Sequence, residues 1–164
     1  MSEEIFISDT PFAMKRIYQN TRISTLSRKE VIRIGNMAVT WCRRNLGINN
    51  RKHFQLSCWF SRWEDDPDVC GEYDDETNEI FVFYRNCKDV KELLETIIHE
   101  WTHHLQPMRT KYYKYKGSYK KNPFEVEAFA AEALYRPELW DSIRNKVNAC
   151  LLYTSPSPRD GLLS

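Results

Sequence analysis

His99-Glu100-Trp101-Thr102-His103 is the segment of this chain whose residue types and spacing can do chemistry. It reads HExxH. On a helix, side chains at i and i+4 lie one above the other. Two imidazoles so placed can reach one Zn²⁺ at about 2.0–2.1 Å. The Glu between them sits beside the metal, where it can take a proton from a metal-activated water. His99 and His103 are therefore candidate metal ligands, and Glu100 is a candidate general base. At 100° per residue both histidines project about 180° and 220° from Val90, opposite an apolar stripe, so they do not read as core histidines. The competing reading is a pair of solvent-facing histidines on an amphipathic helix. His104 points near the stripe and reads as a hydrogen-bonded, partly buried histidine.

The helix that carries the motif is expected from Lys88 to about Gln106. Val90, Leu93, Leu94, Ile97, Ile98, Trp101 and Leu105 fall within roughly a third of its circumference, and Pro107 closes it. Upstream, Ile80, Val82 and Tyr84 alternate with Phe81 and Phe83, which predicts a short apolar strand, EIFVFY. Downstream, Asn122 as N-cap and Pro123 at the first helical position start a helix that runs to Arg136. Pro137 then opens a last helix toward Ala149. Nearer the N-terminus, Ser27 followed by Glu30 is a capping-box signature. Val31, Ile34, Ala38 and Trp41 mark one face of that helix, and Gly47 can end it. Residues 53–63, HFQLSCWFSRW, suggest a strand, and residues 1–26 a short helix or extended lead-in. Residues 64–79 hold nine acids and no Lys or Arg. They include GEYDDETNE, which reads as a turn-rich connection.

A strand, an HExxH helix and a later acid-bearing helix together resemble the zincin superfamily of metallopeptidases, over roughly residues 71–136. The downstream Glu resembles the gluzincin arrangement, in which His, His and Glu hold the metal. HEWTHHLQ followed by NPFEVEA is also similar to small phage and viral zincin-like proteins. It is similar, more loosely, to the minimal ImmA/IrrE and SprT-like metallopeptidase domains. The metzincin extension is absent, because no Gly or His occupies the needed positions after His104. The resemblance implies an edge strand beside the motif helix. EIFVFY would be that strand, lining the cleft and pairing with an extended substrate. It implies a third ligand from Glu125, Glu127 or Glu132. Glu125 with Ala128 matches the ExxA spacing of several such families, and Glu127 is the alternative. Glu125 also stands three residues after Asn122, as in a capping box. Glu132 is a candidate acceptor for a ligand's ring N–H, or else a solvated surface acid. These families often place Asp or Asn four residues after the ligand; Phe129 stands there instead. An oxyanion-stabilising Tyr is also implied, and Tyr112, Tyr113, Tyr115 and Tyr119 are the candidates.

The expected fold is α+β: a small mixed or antiparallel sheet packed on the HExxH helix, with a further helix supplying the acid. The expected function is a zinc-dependent metallopeptidase, a hydrolase that cleaves peptide bonds in a protein or peptide substrate. The first alternative is a metal-stabilised, non-catalytic regulatory or interaction module. The second is a SprT-like protease acting on proteins bound to nucleic acid. Residues 109–121 carry six Lys or Arg, four Tyr and no acid, which could neutralise phosphates and stack on bases. A solvated loop is the preferred reading, because the 164-residue chain is nearly neutral, at +1.

Hydrophobic residues at 41% and charged residues at 29% exclude a disordered chain. No run approaches the length of a membrane helix. The acidic start, MSEEIFISDTPF, lacks a signal-peptide pattern, so the expected location is cytoplasmic, or the host cytoplasm for a viral or phage protein. Five widely spaced cysteines without CxxC read as free thiols. The segment from Cys150 to Asp160 resembles a translated sequencing adapter, which makes 150–164 a non-native tail and 1–149 one domain.

Overall fold

The computed structural model describes residues 16–61, 65–107 and 109–152. Most of the lead-in expected over 1–26, and the tail from 153 onward, lie outside those residues. Ile23–Thr25 forms a 3₁₀ turn, and Arg22 bridges to Asp89. The first helix, α1 (Arg28–Asn45), has the expected capping box. Ser27 Oγ accepts from Glu30 N at 3.1 Å, and Glu30 accepts back from Ser27 N at 3.4 Å. Gly47 follows with φ +81°, the left-handed conformation that ends helices.

Three strands form one sheet: β1 (Ser57–Ser61), β2 (Gly71–Asp74) and β3 (Glu79–Phe83). Their order is β1-β3-β2, with β1 parallel and β2 antiparallel to β3. The sheet is mixed, and the fold is α+β. Two expectations are corrected here. GEYDDETNE is not only a connection: its first four residues are β2, and the Asp74 carboxylate accepts from Glu76 N to tighten the hairpin turn. EIFVF is the central strand, not an edge. Ladders on both sides and burial of Ile80, Val82 and Phe83 explain its unbroken apolar run. The strand at 53–63 is trimmed to β1, and 62–64 lie outside the described residues.

The motif helix is α2 (Val90–Leu105), capped by the Asp89 carboxylate, which accepts from Glu92 N at 2.9 Å. Its apolar stripe packs on α1 and the sheet, and Val90, Leu93, Leu94, Ile97, Ile98 and Trp101 are all fully buried. The opposite face is buried as well. A second long helix covers it, so His99 and His103 are buried and the competing reading of a solvent-facing pair does not hold. The basic stretch carries a short helix, α3 (Arg109–Lys114), and a 3₁₀ turn at Tyr119–Lys121.

The covering helix is α4 (Pro123–Leu152), one element where two were expected. Asn122 Oδ1 accepts from Phe124 N at 3.1 Å at its start. Pro137 lies inside it. An interior proline costs a helix on the order of 3 kcal/mol. Burial of Ala128 before it, and of Leu139, Trp140, Ile143 and Val147 after it, holds both halves on the core. Among the described residues no helix is long and apolar enough to cross a membrane.

His104 is the structural histidine that the phase predicted, buried to 1% exposure. Its Nε2 accepts from Asn49 N at 2.9 Å, and its Nδ1 donates to Asn78 Oδ1 at 2.8 Å. Only the neutral ring can do both. Burial, with Lys52 and Arg43 nearby, pulls its pKa from 6.5 down to about 4. The contribution of His104 to stability is therefore complete above pH 6.5 and is lost as pH falls toward 4, because the unfolded chain takes the proton first. Denaturant melts of wild type and His104→Gln at pH 7 and pH 5 check this. The stability gap between the two proteins should narrow at pH 5; a constant gap would contradict the assignment.

Candidate metal centre

His99 and His103 stand one turn apart on α2, with ring centroids 4.8 Å apart and planes near perpendicular. Both Nε2 atoms converge on one carboxylate. His99 Nε2 lies 2.9 Å from Glu125 Oε2, and His103 Nε2 lies 3.1 Å from Glu125 Oε1. The three residues are buried, and each offers a ligand atom within 4.8 Å of the others. They could hold a metal ion. Tetrahedral ligands at about 2.0–2.1 Å from a metal are about 3.3 Å apart, close to the two histidine–carboxylate spacings of 2.9 and 3.1 Å.

The first turn of α4 delivers Glu125, and the helix period delivers the rest of the cluster. Phe129, one turn on, packs its ring 4.8 Å from that of His99. Glu132, two turns on, places Oε1 2.6 Å from His99 Nδ1. It takes up the steadying role for which the sequence offered no Asp or Asn at position 129. Glu125 does not act in a capping box. Its side chain is engaged by both histidines and by Tyr112, whose hydroxyl donates to Oε1 at 2.6 Å. Glu127, the alternative ligand, is exposed on another face of α4 and accepts from Gln106 Nε2 at 3.3 Å. It is not brought to the histidines.

Gln106 was missed in the sequence. Its Oε1 lies 2.8 Å from His103 Nδ1, and its Nε2 donates to Phe124 O at 2.8 Å, joining the end of α2 to the start of α4. The signal available was a polar residue three positions after the second histidine, on the same helix face. With Glu132 on one Nδ1 and Gln106 on the other, both rings are fixed and their Nε2 atoms are aimed at the same point.

Glu100, 7% exposed, lines a cleft of about 520 Å³ with His99, Cys70, Tyr119, Phe129 and Glu132. The other wall is the start of β2. Gly71 comes so close that an added Cβ would lie 2.6 Å from Thr96 Cγ2 and 3.1 Å from Glu100 Cγ. Gly71 was also missed; a lone glycine opening a strand was its only signal. Of the four tyrosines, Tyr112 bonds to Glu125 and Tyr119, though half-exposed, lines the cleft; Tyr113 and Tyr115 do not line it. A larger groove, about 620 Å³, lies between α1 and the later turns of α4 and includes none of these residues.

The electrostatics follow from burial and pairing. Burial lowers the His99 pKa, but hydrogen bonds to Glu125 and Glu132 outweigh it and raise it to about 10. Burial raises the Glu125 pKa, but His103, His99 and Tyr112 hold it well below the usual carboxylate range. Burial and the neighbouring Glu125 push the Tyr119 hydroxyl up. The cluster is a network of paired, buried groups that could hold a metal ion.

Metal titration of variants reads the ligand set. Glu125→Ala and His99→Ala should abolish tight uptake. Glu132→Ala should weaken affinity by about 10- to 100-fold, as for other groups that orient a ligand. Glu127→Ala should bind as wild type does; loss of metal there with retention in Glu125→Ala would reverse the assignment.

No family model, curated protein or solved structure matches this chain.

Proposed function

We propose that this protein is a zinc-dependent peptidase of the gluzincin-like zincin type. The observation that carries the reading is the buried convergence of His99 Nε2, His103 Nε2 and the Glu125 carboxylate, with Glu100 beside them in an open cleft. Two nitrogens and a carboxylate suit Zn²⁺, and three protein ligands leave a position open, the pattern of catalytic rather than structural sites. When bound, the ion supplies Lewis-acid polarisation of a carbonyl and lowers the pKa of water.

The chain's own residues do the rest. Glu100 stands one residue from His99 on α2 and faces the cleft, where it serves as general base and then delivers the proton to the leaving amine. Glu132 and Gln106 hold the rings. Tyr119, which lines the cleft, would donate to negative charge on the substrate oxygen. The outer edge of β2 takes the part expected of EIFVFY. It has no strand partner but β3 among the described residues, and Gly71 sets it against Glu100. An extended peptide can add to it through main-chain hydrogen bonds, running past the metal ligands.

A metal brace between α2 and α4 without catalysis needs the three ligands but not Glu100. Glu100→Gln separates the two readings. It should retain one zinc per chain, as read by atomic emission, and lose about 10²- to 10⁴-fold in cleavage of an unstructured protein such as casein. Undiminished cleavage by that variant would sink the mechanism.

A further inference from the structure

Cys70 and Cys87 meet at the rim of the cleft. Cys70 ends the 65–70 stretch, and its carbonyl accepts from Phe83 N at 2.8 Å, extending the β2–β3 ladder by one step. Cys87 ends the 3₁₀ turn Tyr84–Asn86 that leads from β3 toward α2. Antiparallel pairing and a tight turn thus carry the two residues to the same place: Phe83, whose N–H meets the Cys70 carbonyl, presents its own carbonyl to Cys87 Sγ at 3.9 Å. The surroundings hold them there. Cys70 Sγ lies 3.5 Å from Asn86 O, and Cys87 Sγ lies 4.0 Å from Thr96 Oγ1. Asn86 Nδ2 donates to Val69 O at 2.8 Å and to Asp66 O at 3.1 Å, fastening the two segments together. Cys70 is half-buried and lines the cleft, while Cys87 is buried behind it.

We propose that Cys70 and Cys87 form an oxidation site, a dithiol that a peroxide converts into an intrachain disulfide at the cleft wall. The Cys70 thiolate attacks one peroxide oxygen, the O–O bond breaks, and the departing hydroxide takes up a proton as water. The Cys87 thiol gives up its proton, its sulfur displaces the second oxygen as water, and the S–S bond closes. Two thiols lose two electrons and two hydrogens, and the peroxide is reduced to two waters.

The chemical asymmetry of the pair suits this order. The neighbouring Cys87 lowers the Cys70 pKa against the effect of burial, whereas Cys70 and burial push Cys87 up. The accessible sulfur is the nucleophile and the buried one resolves it. Cys42 and Cys58 also neighbour one another, but neither lines the cleft. Burial raises both, Cys58 to about 12, so neither offers a thiolate. The disulfide would tether the first residue before β2 to the segment that opens α2. Gly71 follows directly, against Thr96 and Glu100. On the peptidase reading proposed above, oxidation therefore alters substrate pairing at β2, and reduction restores it.

The test is oxidation of the full chain with hydrogen peroxide, followed by thiol titration under denaturing conditions and peptide mapping without reductant. The five thiols should fall to three, with one linked peptide pair containing Cys70 and Cys87. Cys70→Ser should abolish the link. This variant changes the half-exposed residue, so it keeps the test valid even where Cys87→Ser does not fold. A different pairing, or Cys70 carried to sulfinic acid with Cys87 still a thiol, overturns the proposal. The readout does not depend on activity: a link that forms in a chain without peptidase activity upholds the oxidation site and refutes only the function.

Discussion

A carboxylate at 1% exposure is tolerable only where every oxygen is engaged, and the Glu125 carboxylate meets that condition. It receives both imidazole Nε2 atoms and the Tyr112 hydroxyl. Those partners come from α2 and from the connection before α4, so one side chain ties three segments together. Removing one member of a buried pair typically costs about 3–5 kcal/mol, because the other is left without compensation. The same requirement lets the cluster hold a metal ion. Groups that must be paired in the free chain are the groups that a divalent ion would pair instead.

The rest of the fold positions α2 for this role. Its apolar stripe fixes it on α1 and the sheet, and Trp101 Nε1 and His104 bond back to Gly47 and Asn49 at the end of α1. Rotation about the helix axis is thereby blocked, and the HExxH face has to look toward α4. On that side Glu125, Phe129 and Glu132 repeat at near-helical spacing and cover His99 from Nε2 round to Nδ1. The sheet adds the last wall. An added Cβ at position 71 would run into Thr96 and crowd Glu100, so the glycine lets β2 approach α2 this closely.

Local signals made much of this legible in the sequence. The capping box at Ser27, the stripe of α2, the HExxH spacing and the structural role of His104 all depend on neighbours within a turn or two. What failed was tertiary. The burial of His99 and His103 could not be read from one helix, because it depends on α4. β2 was hidden in an acidic, turn-rich stretch, where its alternation is only exposed Glu72 beside buried Tyr73. EIFVF was misplaced at the edge because an apolar run does not reveal how many neighbours it has. Pro137 overstated a local rule that packing on both sides overcomes. Glu125 was separable from Glu127 by helix phase, but its hydrogen bonds, and those of Gln106, appear only when α2 meets α4.

The central claim is that His99, His103 and Glu125 bind a single metal through nitrogen and oxygen. X-ray absorption at the zinc edge of the zinc-loaded full chain tests it most directly. The account predicts a first shell of nitrogen and oxygen only, at about 2.0–2.2 Å, with the imidazole multiple-scattering pattern of two histidines. A sulfur shell at about 2.3 Å would place the metal on cysteine and contradict it.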